Sequence, residues 1–263
     1  NMQEIIITTV VIGVIGLVIG IALVAAGKKF YVAVDEKAIA VRECLPGNNC
    51  GACGYAGCDA VAAAIAAGDA PANACPVCSA DAVAKIGGVM GVEAEAAQRK
   101  TAQVKCSGDC EHTSAKCNYV GIEDCRAAAL AGLNTGSCTF GCLGYGSCVK
   151  ACTYDAIHVV NGVAKVDTSK CVGCGMCAKA CPKGLIEVVR ADRAFVVQCS
   201  NKDRGPAVKK VCSAGCLGCG ACVKQCEHDA IHLEGNLAYI DYDKCVGCGK
   251  CAEKCPAKNI VRQ

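Results

Sequence analysis

The sequence predicts an α+β protein: an N-terminal transmembrane helix, a small loop-and-helix domain, and two tandem strand-and-helix modules. Three observations carry that prediction. The 263 residues include 28 cysteines, most of them in tight groups. The stretch 137–182 recurs at 211–256 with its cysteines in register, 74 residues apart. Residues Ile5 to Ala26 form an apolar run of 22 without a charge.

The apolar run comes first. At 1.5 Å per residue it spans the roughly 30 Å hydrocarbon core of a bilayer. It is too long and uniform for a buried core helix. No cation precedes it and no small-x-small site follows, so a cleaved signal peptide is not expected. Lys28 and Lys29 on its C-terminal flank put that flank, and the rest of the chain, on the cytoplasmic side of the cytoplasmic membrane. Gly16 and Gly20 form a G-x-x-x-G that lets another helix approach closely. One such helix fits docking beside other membrane subunits, not a pore. The expected divisions are 1–27 for the anchor, 28–105 for the loop-and-helix domain, 106–137 for a connecting segment, and 138–198 and 199–263 for the modules.

The loop-and-helix domain reads L-P-G-N-N-C-G-A-C-G-Y-A-G-C, with Cys50, Cys53 and Cys58, and N-A-C-P adds Cys75. A helix over about Asp59–Ala67, stopped by Gly68, returns the chain to Cys75. A second helix follows over Ala80 to about Met90 with Ser79 as N-cap, and then an Ala- and Glu-rich linker. Cys44 and Cys78 fall outside the pattern and read as spare thiols.

Each module predicts a hairpin between two cysteine groups. Ile157–Val160 and Val163–Val166 flank Asn161-Gly162, a strong two-residue turn signal. Ile231–Leu233 and Leu237–Ile240 flank Gly235-Asn236 in the second copy. His158 and His232 occupy equivalent hairpin positions and read as strand residues; His112 and His228 have no ligand-like spacing.

The cysteine spacing specifies the chemistry. Cys171, Cys174, Cys177 and Cys181-Pro182, and again Cys245, Cys248, Cys251 and Cys255-Pro256, are C-x2-C-x2-C-x3-C-P. This is the iron–sulfur run whose fourth thiolate serves a second cluster. Structural zinc takes two separated C-x2-C pairs, and neighbouring triplet members pair poorly as disulfides, so both alternatives rank below iron–sulfur. The modules are therefore two-cluster ferredoxin-like. In the second, Cys216, Cys219, Cys222 and Cys255 form one set, and Cys226, Cys245, Cys248 and Cys251 the other. In the first, Cys152, Cys171, Cys174 and Cys177 are complete. Tyr145 stands where Cys219 stands in the twin, leaving Cys142, Cys148 and Cys181 with Cys138 as the nearest fourth thiol, or a three-iron cluster. Thr153 and Glu227 replace the usual proline after the fourth cysteine of a run. With Cys50, Cys53, Cys58 and Cys75, this makes five 4Fe-4S sets. Among the eight cysteines left, Cys106, Cys110 and Cys125 with one of Cys117, Cys199 or Cys212 form a sixth set; idle thiols are the alternative.

Other classes are excluded or displaced to partners. A net charge of +3, no Trp and 4% aromatics give no basis for nucleic-acid binding. Without a strand–GxGxxG–helix unit, direct NAD binding is not expected. The apolar run has no polar residue beyond Thr8 and Thr9, so ion transport falls to other subunits. Lys202, Arg204, Lys209 and Lys210 against Asp203 offer a patch to steer an acidic ferredoxin, or a solvated loop.

The anchor, the L-P-G-N-N-C-G-A-C-G-Y-A-G-C loop and the tandem modules together resemble the B subunit of the Rnf complex, in its longer anaerobe form. The resemblance covers essentially the whole chain. It implies a ferredoxin:NAD⁺ oxidoreductase complex that couples electron transfer to Na⁺ or H⁺ transport. The chain would receive electrons from soluble ferredoxin and pass them to the other membrane subunits. Cys44, Cys78 and Cys117 depart from the family pattern. A polyferredoxin component of another membrane oxidoreductase, or an iron–sulfur redox sensor, are the alternative functions.

Overall fold

A computed structural model describes residues 2–29, 35–95, 98–132 and 135–263. Helix α1, Met2–Lys29, has 28 residues and so extends about 42 Å. Its Val10–Gly27 stretch has mean hydropathy 2.8 and is not covered by protein. The side chains of Thr8, Thr9, Lys28 and Lys29, and linker residues 96 and 97, lie outside the described residues.

Three helices form the first small unit. Helix α2, Glu36–Cys44, was not anticipated; Asp35 caps it by accepting from the Lys37 N–H. Helix α3, Cys58–Ala67, ends at Gly68 in the left-handed region, as the glycine required. Helix α4, Ala80–Met90, is capped by Ser79 accepting from Ala82 N at 3.2 Å. Val41, Val61, Ile65 and Ile86, each 1% exposed or less, close the core between them. Arg42 on α2 bonds Asp59 on α3 at 2.7 Å.

The two modules share one plan. The first comprises strand β1, Lys100–Val104; helix α5, Cys125–Leu130; α6, Ser147–Lys150; hairpin β2, Ile157–Val160, and β3, Val163–Val166; α7, Met176–Ala180; and β4, Ile186–Arg190. The second comprises β5, Phe195–Val197; α8, Gly205–Val211; α9, Ala221–Gln225; hairpin β6, Ile231–Glu234, and β7, Leu237–Ile240; α10, Lys250–Glu253; and β8, Ile260–Arg262. Both hairpins stand as their turn residues specify, with Asn161 and Gly162 at φ 50° and 80°. Gly144 and its twin Gly218 lie against those turns at positive φ; a Cβ on either would sit 2.7 Å from the carbonyl oxygen of Gly162 or Asn236.

The outer strand pairs cross the expected divisions of the chain. Strand β1 is antiparallel to β4, with Val104 opposite Ile186, and β5 is antiparallel to β8, with Val197 opposite Ile260. Boundaries at 105/106 and 198/199 would cut each leading strand from its partner. A lone five- or three-residue strand needs such a partner for its backbone hydrogen bonds, so β1 and β5 each pack with the module that follows them. The segment 106–137 is also more than a connection: α5 packs into the first module through Cys125 and Ala128 against Leu143.

Ile157 and Ile231, each 2% exposed, are the twin anchors of the hairpins. Ile157→Ala or Ile231→Ala is expected to cost about 2–5 kcal/mol. A lower urea midpoint, followed by anaerobic circular dichroism, would show it.

Candidate iron–sulfur sites

Among the described residues most thiols gather in small groups, built by short loops and the ends of short helices. In the second module, Cys216, Cys219, Cys222 and Cys255 line one apolar cavity with Leu233 and Ile260. Cys226, Cys245, Cys248 and Cys251 line another beside Phe195 and Ile240. These are the thiols that the spacing groups together. In the first module, the charges of Cys171, Cys174 and Cys152 all act on Cys177, so that set also comes together.

The remaining first-module site differs from expectation. The cavity with Cys142, Cys148 and Cys181 is completed by Cys125, not Cys138. The first copy has a longer segment between Cys106 and Cys138 than the second has between Cys199 and Cys212, and helix α5 of that insertion delivers Cys125. Tyr145, standing in for a cysteine, packs on Tyr119 of the insertion with ring centroids 5.2 Å apart. Ser147 fixes the helix start: its Oγ accepts from Cys125 N at 2.7 Å and donates to Asp124 Oδ2 at 2.7 Å. Asp124 in turn caps α5 through the Arg126 and Ala127 N–H groups. These bonds hold its carboxyl below the usual range, the Ser147 bond most strongly.

Cys138 lines a cavity between the modules with Cys106, Cys199 and Cys212, and Cys142 reaches both this cavity and the one that holds Cys125. Cys212 is the 74-residue twin of Cys138, and Cys106 and Cys199 each follow the leading strand of a module by two residues. The site is thus two-fold in plan, with an equivalent pair from each copy. Cys106 accepts from the N–H groups of Cys142 and Gly108. Cys199 accepts from the twin positions, Cys216 at 3.3 Å and Asn201 at 3.4 Å. Asn201, 2% exposed, also donates to Cys138 Sγ at 3.5 Å. The expected set of Cys106, Cys110 and Cys125 is therefore divided. Cys110 is exposed beside the Asn161-Gly162 turn, and Cys117 is exposed in the insertion. The echo between V-K-C-S and V-Q-C-S is the sequence signal that relates Cys106 to Cys199.

In the first small unit, Cys58 and Cys75 are buried and Cys53 packs against them. Asn49, at φ 47°, accepts from Cys58 N at 2.7 Å and shapes the loop. Cys50 lies toward the first module, where its charge acts on Cys174. Asn48 donates to the Tyr154 hydroxyl across that junction. The spare thiols Cys44 and Cys78 are closer than expected: both act on the same neighbourhood as Cys58 and Cys75. A hydrogen bond from Cys78, ahead of the Val77 and Cys78 N–H groups, brings Cys75 down to about 6.

The donor sets fit 4Fe-4S clusters. At least four thiols line each of the cavities described, and backbone N–H groups point at sulfur: Ala102 to Cys171 at 3.2 Å, Ala156 to Cys152 at 3.5 Å, and Ala230 to Cys226 at 3.4 Å. Burial pushes Cys106, Cys177 and Cys222 up to about 11 and Cys148 up to about 12. A bound cationic metal reverses that cost by favouring thiolate. No three His, Cys, Asp or Glu side chains among the described residues converge as on a single ion. A cubane requires no such convergence, since each thiolate binds a separate iron. His158 and His232 lie on strands, facing Asp155 O and Glu234.

Family profiles match three stretches: "Putative Fe-S cluster" at 45–77, "4Fe-4S binding domain" at 164–187 and "4Fe-4S dicluster domain" at 215–259. The chain is 44% identical to the B subunit of the Na⁺-translocating ferredoxin:NAD⁺ oxidoreductase complex of Acetobacterium woodii, over 92% of this chain and 73% of that protein. It is 40% identical to the B subunit of the proton-translocating complex of Clostridium ljungdahlii, over 91% and 85%. It is 38% identical to the B subunit of the ion-translocating oxidoreductase complex of Methanosarcina acetivorans, over 98% and 99%. The chain belongs to the family formed by the B subunits of these complexes. It is a 4Fe-4S electron-transfer component of a multi-subunit oxidoreductase, and α1 fits its membrane anchor.

Ser147→Ala would strip the Cys125 N–H of its acceptor, at a cost of about 1–3 kcal/mol. Faster proteolysis within 113–135, with the second module unaffected, is the expected result.

Proposed function

We propose that the chain carries electrons from reduced soluble ferredoxin, on the cytoplasmic side, through six 4Fe-4S sites to membrane partners of an ion-translocating ferredoxin:NAD⁺ oxidoreductase. The observation that carries this reading is the continuity of the thiol groups. The Cys226 and Cys216 groups share the second module's core. Cys216 N donates to Cys199 of the group between the modules. The Cys142 N–H donates to Cys106 of that same group. Cys148 and Cys177, from the two first-module groups, share one core. Cys174 then faces Cys50. The series leads from the far module to the unit that follows the anchor in sequence.

The ligands we assign are Cys50, Cys53, Cys58 and Cys75; Cys152, Cys171, Cys174 and Cys177; Cys125, Cys142, Cys148 and Cys181; Cys106, Cys138, Cys199 and Cys212; Cys216, Cys219, Cys222 and Cys255; and Cys226, Cys245, Cys248 and Cys251. Bound clusters supply one-electron redox capacity. The chain's residues supply thiolates, hold successive groups against one another, exclude water with Ile157, Ile186, Ile231 and Ile260, and stabilise sulfur charge through N–H donors. Lys28 and Lys29 support the cytoplasmic orientation. Nicotinamide chemistry and ion movement belong to partner subunits, since the sequence offers neither a dinucleotide turn nor a charged residue in the apolar run.

Anaerobic analysis of the full chain is expected to give roughly 24 iron atoms with matching labile sulfide, where five sites would give roughly 20. Zinc with no sulfide would end the reading. Cys125→Ser should alter the cluster of the Cys142 group, seen as lost iron or a three-iron EPR signal. Adding Tyr145→Cys should restore it, because that position is a ligand in the twin. An unchanged iron count and EPR spectrum in Cys125→Ser would return Cys138 to that set.

A further inference from the structure

The internal repeat makes one face of the second module conspicuous. In the first module, the outer loop around Cys171–Cys174 is covered by the chain's own N-terminal thiol unit, with Cys50 beside Cys174 and Asn48 bonded to Tyr154. Four twin positions in the second module are more open. Cys171 is buried and Cys245 half-buried; Val172 is half-buried and Val246 is 63% exposed; Cys174 is half-buried and Cys248 exposed; Tyr154 is half-buried and His228 exposed.

We infer that the face formed by Val246, Cys248 and His228 is the docking surface for a small soluble iron–sulfur protein, which takes the place that the N-terminal unit occupies on the first module. The inference rests on the proposed reading of the Cys226 group as a cluster site. Three features select this occupant. The same face in the twin seats a thiol-bearing unit, so the surface is of a kind that joins two such loops. Its group stands at the end of the series opposite the anchored unit, where a donor must be admitted. Its rim carries no net field of one sign, since Lys250 pairs with Glu227 and Lys244 lies 3.9 Å from Asp229. An exposed valine within a self-neutralised rim suits close apolar contact over a small area, as in transient redox encounters.

The test uses the full chain in nanodiscs and a reduced two-cluster ferredoxin. Hydrogen exchange with ferredoxin added should show protection at 226–230 and 244–250, and not over α8. Val246→Glu and Val246→Lys should both slow ferredoxin oxidation by about tenfold, an apolar rather than a charge effect. Iron content and the rate of reduction by dithionite should stay unchanged. Protection over α8 instead, with the loss of rate carried by a Lys209→Glu/Lys210→Glu variant, would move the surface to that basic helix and overturn the inference. Protection of 244–250 that appears without ferredoxin and grows with protein concentration would assign the face to a second copy, and would also overturn it. A fully loaded wild type that oxidises ferredoxin while both Val246 variants do so at the same rate removes the docking face alone. A wild type that does not oxidise ferredoxin removes the proposed function itself.

Discussion

Burial of thiol groups in modules too small to fold around anything else is the constraint from which the remaining architecture follows. Strands of three to five residues and helices of four to seven enclose little apolar area. The cores of the two modules consist of a few aliphatic side chains interleaved with cysteines, as in the set Cys148, Ile157, Cys171, Cys177 and Ile186. Taken out of water, those thiols resist ionisation; Cys148 is pushed up to about 12 by burial. Metal binding supplies the missing counter-charge, so cluster loading and folding are linked steps. The N–H groups aimed at sulfur serve the same end, because each satisfies a backbone donor where water is excluded.

Duplication explains both the regularity and the one repair. The copies share strand pairing, hairpins and turn glycines, and they meet at a site to which each gives a twin pair of cysteines. Where the first copy carries Tyr145 at the position of Cys219, an insertion brings Cys125 to the cavity of Cys142, Cys148 and Cys181. The aromatic side chain is part of the repair: it packs on Tyr119, while Ser147 and Asp124 clamp the helix that bears the replacement thiol. The structure thereby places Cys125 beside three thiols for which the sequence offers Cys138 as the nearest fourth, or a three-iron cluster.

The arrangement suits a relay. Groups follow one another through shared cores and direct N–H···S contacts. The unit after the apolar helix lies against the first module, and the second module exposes its outermost thiol loop. Each protein-side contribution is local: a loop conformation set by glycine, a hydrogen bond to sulfur, an aliphatic wall. Membership of this family agrees with an electron-transfer role inside a multi-subunit complex.

Much of this was legible in the residue order. The apolar run, the 74-residue repeat, Gly68 and Ser79 as helix boundaries, both hairpins and the two C-x2-C-x2-C-x3-C-P runs are local patterns, governed by backbone geometry and loop closure over a few residues. Strands β1 and β5 carry no local signal, because a short strand is defined by its partner and those partners lie far along the chain. The grouping of Cys125 with Cys142, and of Cys106 and Cys138 with Cys199 and Cys212, depends on how an insertion folds back and how two copies face each other. Spacing determines which thiols share a loop. Only packing decides which loops share a site, because contacts between distant segments are set by the surfaces they bury together.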